Sequence, residues 1–224
     1  MSNGTTAIQV ALKTLNITGE VITTPFSYVA TTTSILWEAC KPVFVDIESR
    51  TFCIDASKIE AAITPDTQAI LAVHVYGYPC DVVKIEALAK KYDLHVIYDA
   101  AHAFGVRLNG VPLVNYGDLA TLSFHATKLF HTVEGGAIVS HNKEMAEKIW
   151  LHMSFGHRGD EYYTVGINGK NSEFHAAMGL AMLPFIDGLI ERRRAICELY
   201  DFKLKGKGLL HPEKVVGLEY NYAY

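Results

Sequence analysis

The chain has 224 residues, half of them hydrophobic, with 20 Lys and Arg against 24 Asp and Glu and a formal net charge of −4. That is long enough to bury a sizeable core and too apolar for a disordered chain, and without a Lys/Arg block it has no electrostatic footprint for nucleic acid or an anionic membrane. Four scattered cysteines (Cys40, Cys53, Cys80, Cys197) with no C-x-x-C pair read as reduced thiols; neither a signal-peptide pattern at the start nor an apolar run of membrane-spanning length is evident, so a cytoplasmic location is expected.

Along the chain, β-rich apolar runs alternate with segments of helical period. Strands are predicted over Glu20–Thr24, Pro42–Asp46, Ala69–Tyr76, Leu94–Asp99, Leu119–His125 and Ala137–Ser140. Between them, apolar residues three or four apart predict helices over Thr5–Leu15, Tyr28–Ala39, Ala56–Ala62, Val82–Lys91 and Lys143–Met153. This alternation implies an α/β fold, a mainly parallel sheet covered on both faces. From Ser172 to about Leu204 the pattern is helical again, with a kink expected at Pro184. After it, Gly206, Gly208 and Pro212 punctuate a tail that ends in a strand-like run, Leu218–Tyr224. Residues 1–204 read as one large domain and 205–224 as the opening of a second.

Two residues at strand ends carry the chemistry. Asp99 closes the apolar run Val96-Ile97-Tyr98, and Lys128 follows another in Ser123-Phe124-His125-Ala126-Thr127-Lys128. Taken singly, a lysine after a strand is a solvated charge and an aspartate at a strand end is a turn or cap residue. Taken together, an amine and a carboxylate on the carboxyl rim of one sheet are what pyridoxal 5′-phosphate requires: one forms a Schiff base, the other keeps the pyridinium nitrogen protonated. Gly4-Thr5 opens the first helix and offers free backbone N–H groups to a phosphate, although an ordinary cap has the same appearance. Ten histidines raise the question of a metal; no pair has H-E-x-x-H spacing and no cysteine stands near to complete a tetrahedral set, so no metal site is expected.

These pieces occur in a recognisable order. Ser2-Asn3-Gly4-Thr5, Thr24-Pro25-Phe26-Ser27-Tyr28-Val29-Ala30-Thr31, Val45-Asp46, Asp99-Ala100-Ala101-His102-Ala103, Ser123 to Lys128 with Glu134-Gly135-Gly136, and Gly166-Ile167-Asn168 leading into Ser172–Leu180 resemble the DegT/DnrJ/EryC1/StrS sugar aminotransferases. The resemblance implies the fold type I large domain of the aspartate-aminotransferase fold and pyridoxal phosphate as cofactor. It implies Lys128 as the Schiff-base lysine and proton-moving base, and Asp99 as partner of the ring nitrogen. It further implies His102 near the phenolic oxygen, where many relatives carry Gln, and Tyr28 on the ring face, with Gly4, Thr5 and Ser123 at the phosphate. Asn168 would reach the phosphate of a neighbouring subunit, making the homodimer's site composite. Its flank, Gly169-Lys170-Asn171, departs from the aromatic-Arg-Met flank common in the family.

Some relatives carry histidine at the Schiff-base position and dehydrate sugars; the lysine here implies transamination. By the same resemblance the substrates are a nucleotide-linked keto-sugar, with a dTDP-4-keto-6-deoxyhexose the expected acceptor, and an amino-acid donor, L-glutamate. Alternatives are a non-catalytic PLP-binding or regulatory family member and another fold type I PLP enzyme. Relatives have a segment before the Gly-Thr helix and a domain after the long helix, and the chain is expected to hold neither in full.

Overall fold

A computed structural model describes residues 1–224. In chain order the helices are α1 (Gly4–Thr14), α2 (Val29–Trp37), α3 (Ala56–Ala62), α4 (Val82–Tyr92), α5 (Lys143–Met153), α6 (Glu173–Met182) and α7 (Ile186–Leu204). The strands are β1 (Glu20–Thr23), β2 (Lys41–Phe44), β3 (Thr67–Val73), β4 (His95–Asp99), β5 (Arg107–Leu108), β6 (Val111–Pro112), β7 (Leu119–Ser123), β8 (Gly136–Val139), β9 (His157–Arg158), β10 (Glu161–Tyr162) and β11 (Leu218–Glu219).

Six strands form one sheet in the order β2-β1-β3-β4-β7-β8, parallel except for β8. β1 and β3 are almost wholly buried, because helices cover both faces of the sheet. On one face Ile8, Leu12 and Leu15 of α1 pack with Ile149 of α5 against Val21, Leu71 and Ile97. On the other, Ile59 of α3 and Val82, Ile85 and Leu88 of α4 pack against Ile22, Ile70 and Tyr98. Pro42 is tolerated because β2 is an edge strand. The chain steps from β1 outward to β2 and then back across to β3, so the order reverses beside β1; crevices of this kind at the carboxyl ends of strands bind ligands in open α/β sheets.

The expected strands of the sheet all form, their ends shifted by one to three residues, and the terminal run departs further. β3 stops at Val73, three residues early, because His74 leads into a tight turn at Val75–Gly77 in which Tyr76 is left-handed (φ 54°). β7 stops at Ser123, where the chain must turn out over the site. Of the terminal run only Leu218–Glu219 is a strand, pairing with β5; residues 220–224 then lie against the large domain instead of extending the sheet. At Pro184 a single 3-10 turn, Leu183–Phe185, joins α6 to α7. Helical geometry therefore runs on through the proline. The span Glu173–Leu204 becomes 32 residues long with a most apolar 18-residue window of mean hydropathy 1.3, enough by length and composition to cross a membrane, contrary to the expectation from shorter runs.

Candidate active site

The carboxyl ends of β1, β3, β4 and β7 and the amino end of α1 surround a cavity of about 790 Å³. Gly4, Thr5, Tyr28, Asp99, His102, Ser123 and Lys128 all line it, drawn from positions more than a hundred residues apart. Asn168 does not. It lies on the exposed stretch that pairs with Ser154, facing solvent outside its own chain's cavity.

At one wall, Asn3 rather than Gly4 caps α1: its Oδ1 accepts from Thr6 N at 2.8 Å. The N–H groups of Gly4 and Thr5 have no partner within the helix and remain available to an anion. The approach is very close. A Cβ on Gly4 would sit 2.9 Å from Ser123 Cβ, and one on Gly136 would sit 2.6 Å from the Asn3 carbonyl, so both glycines are needed to press the helix start onto β7 and β8.

Asp99 closes the floor and is 6% exposed. Its Oδ2 accepts from Thr31 Oγ1 at 2.8 Å and its Oδ1 from Ala101 N at 3.1 Å. Burial pushes its carboxyl above the ordinary range, against the lowering effects of these two donors and of Lys128. Lys128 sits on the loop after β7. Phe130, stacked on Phe104 at 4.5 Å and edge-on to Phe124, and the buried Leu129 pin that loop down while the lysine side chain reaches the cavity.

His102 is neutral. Burial and the nearby Lys128 cation push its pKa down to about 4, and its Nδ1 accepts from Tyr76 N at 3.1 Å, which leaves the proton on Nε2. The ring of Tyr224 lies 4.4 Å from that of His102, and its hydroxyl is 3.2 Å from Lys128 Nζ. The tail is fastened there: Asn221 Nδ2 donates to the carbonyls of His102 and Phe104, and Tyr220 hydroxyl donates to the Tyr76 carbonyl. Sequence reading assigned no site role to Tyr224, Thr31 or Ser27: Tyr224 and Thr31 meet partners 96 and 68 positions away, and Ser27 reaches the site only through Thr31.

The fit to pyridoxal phosphate rests on this donor set: a buried carboxylate, an amine, a neutral imidazole donor and an anion-binding helix start around one cavity. The model of the DegT/DnrJ/EryC1/StrS aminotransferase family matches residues 1–216. The chain is 51% identical over 205 residues to a dTDP-4-amino-4,6-dideoxy-D-glucose transaminase of Shigella dysenteriae and 48% over 210 residues to an Escherichia coli protein of the same name. These alignments cover 91% and 92% of the chain and 56% of each relative, so the chain spans little more than half their length. Among solved structures, DesI with its TDP-sugar product superposes with a TM-score of 0.88 at 35% identity, covering 92% of this chain and 53% of that one. The synthase of 3-amino-5-hydroxybenzoic acid superposes at 0.93 with 28% identity, over 100% of this chain and 60% of that one. These neighbours share the fold type I α/β architecture, and the chain belongs to the DegT/DnrJ/EryC1/StrS aminotransferase family.

Proposed function

We propose that this chain is the cofactor-holding part of a PLP-dependent aminotransferase that passes an amino group from L-glutamate to a nucleotide-linked keto-sugar, specifically a dTDP-4-keto-6-deoxyhexose. The observation that carries the reading is the placing of buried Asp99 and of Lys128 in one cavity with the open amino end of α1. Support for the sugar comes from the two transaminases named above.

When bound, pyridoxal phosphate supplies an aldehyde conjugated to an electron-withdrawing ring. The chain does the rest. The N–H groups of Gly4 and Thr5 and the Ser123 hydroxyl would hold the phosphate, Tyr28 would cover a ring face, and Asp99 would keep the proton on the ring nitrogen. Lys128 would hold the cofactor through Nζ and would serve as the base that moves a proton at the donor's Cα. His102 Nε2–H would donate toward the phenolic oxygen, the service an amide would give. Accordingly His102→Gln should hold the cofactor nearly as the natural chain does, whereas His102→Phe should weaken PLP binding about tenfold, the worth of one hydrogen bond to a charged oxygen. Equilibrium titration with PLP measures this, and equal affinity in both variants would remove His102 from the site.

The active form is proposed to be a cytoplasmic homodimer. Asn168 faces away from its own cavity, and Trp37 (80% exposed) and Phe174 (89%) leave apolar surface open as subunits do before association. We assign the apolar exposure of α6 and α7 to such an interface and not to lipid, since Glu173 and Asp187 share those helices. We propose a boundary between a large domain and the start of a smaller one after Leu204, the end of α7.

Two experiments test the reading. Incubation of the chain, and of a protein extended at both ends, with PLP, L-glutamate and a panel of dTDP- and UDP-keto-sugars should yield an amino-sugar identified by mass spectrometry. A PLP-loaded extended protein that aminates none of them would overturn it. Separately, Lys128→Ala and Asn168→Ala homodimers should each fail, one in covalent attachment and the other in cofactor retention. Randomly mixed subunits should regain about one quarter of the wild-type visible absorbance, since half of the dimers are mixed and each has one intact site. No recovery in a demonstrably dimeric mixture would place Asn168 outside the neighbour's site.

A further inference from the structure

Two helical threonines of this chain satisfy their hydroxyls on their own helix. Thr14 Oγ1 donates to the Val10 carbonyl at 2.7 Å and Thr33 Oγ1 to the Val29 carbonyl at 3.0 Å, the usual return to the residue four before. Thr31 does otherwise. It is fully buried, and its hydroxyl leaves α2 to donate to Asp99 Oδ2, a residue of β4, at 2.8 Å. Its backbone N–H is already spent on the Tyr28 carbonyl.

Behind Thr31 stands Ser27, half-buried on the cavity wall, with its Oγ 2.7 Å from Thr31 Oγ1. The direction of this contact follows from chemistry. A carboxylate only accepts, so the single proton of Thr31 is committed to Asp99 and the proton between Ser27 and Thr31 must come from Ser27. Tyr28, at the cap position of α2, makes no side-chain capping bond, and Ser27 likewise gives its hydroxyl to the chain of contacts and not to the helix start.

We propose that Ser27 and Thr31 form a one-way hydrogen-bond relay that fixes Asp99 as an oriented anion, which makes Thr31 a positioning residue of this site. The inference rests on the cofactor reading above for its catalytic meaning, although the relay itself is a property of the chain. Both oxygens of Asp99 then have a donor, one from α2 and one from the turn after β4 at Ala101 N. Across the cavity stand the Lys128 cation, neutral His102 and the amino end of α1, with Tyr28, Tyr76, His125, Glu134 and Tyr224 elsewhere on its lining; the adjoining strands contribute Val73 and Thr121. Burial raises the Asp99 pKa and Thr31 opposes it, so loss of the Thr31 hydroxyl must raise it further. A relay of neutral hydroxyls suits the task, because a second cation in place of Thr31 would compete with the ring nitrogen for the same carboxylate.

The test is a pH titration of the chain without cofactor, labelled with 13C at the aspartate carboxyls and followed by NMR, with the Asp99 resonance identified by its loss in Asp99→Asn. In Thr31→Val the Asp99 midpoint should move up by about one pH unit, the effect of one hydrogen bond to a charged group. Thr31→Ser, which restores the hydroxyl, should titrate as the natural chain does, and Ser27→Ala should shift the midpoint upward by less than Thr31→Val. An unmoved midpoint in a folded Thr31→Val, or failure of Thr31→Ser to restore it, overturns the relay. If Thr31→Val does not fold, Ser27→Ala decides: no shift there overturns the relay, and an upward shift supports it. In the PLP-loaded chain, Thr31→Val should still be labelled at Lys128 by borohydride while its visible band titrates at a displaced pH. Should no variant, nor the natural chain, bind PLP, the proposed function fails while the carboxyl titration still decides on Ser27 and Thr31.

Discussion

Replacing Lys128 with alanine is expected to abolish covalent attachment of pyridoxal phosphate and, with it, the visible absorbance of the loaded protein. Among the residues that line the cavity, Lys128 supplies the amine; its Nζ is held at the mouth against the Tyr224 hydroxyl, and its charge is felt at both Asp99 and His102. No neighbouring cavity residue is a primary amine that substitutes for it. Losing the proton-moving base alone costs about 10²–10⁴-fold in rate, and losing the covalent anchor adds to that. The check is borohydride reduction of the PLP-loaded natural chain followed by peptide mapping, beside spectra of the variant. Label on a different lysine, or a persisting band in Lys128→Ala, would sink the assignment.

Asp99→Asn is expected to keep the cofactor on Lys128 yet slow the reaction with L-glutamate by about a thousandfold, the scale on which a misplaced or missing charge in a preorganised site is felt. The substitution is close to isosteric: Thr31 can still donate to the amide oxygen, while the bond from Ala101 N is lost, so the fold and the cavity survive less one hydrogen bond. What disappears is the negative charge that holds a proton on the ring nitrogen. That loss is not compensated by water, since Asp99 is buried, and its immediate neighbours Val73, Thr121 and Ala101 carry no charge. Stopped-flow measurement of the half-reaction with L-glutamate reads the effect directly. A rate within a few-fold of the natural chain would remove Asp99 from the chemistry.

These expectations differ in how they could have been reached. Asp99 and Lys128 are legible in the sequence because each follows a run whose burial on both faces demands uninterrupted apolar residues, and the end of such a run marks the carboxyl rim where ligands collect. The same rule located all six strands of the sheet, while amphipathic period located α3 and α5 to the residue. Strand ends were less legible. The stop of β3 at Val73 depends on Tyr76 taking a left-handed conformation, which in turn delivers its N–H to His102, a residue from another strand's exit.

By itself, then, the sequence determined the α/β class, the order of elements, the family resemblance and the residues that meet at the rim, because local periodicity and turn chemistry act over a few neighbours. Only the tertiary structure decided who orients them. The donor to Asp99 is Thr31, 68 positions away, and the phenol beside Lys128 belongs to Tyr224, 96 positions away. Nothing in their local sequence distinguishes Thr31 from Thr33, which bonds to its own helix. The tertiary structure also decided the protonation of His102, set by a backbone N–H and by burial, and the exposure of Asn168 away from its own cavity. Side-chain orientation, hydrogen-bond direction and desolvation arise from contacts between elements that a one-dimensional pattern does not encode, since each requires the sheet to have closed the distance first.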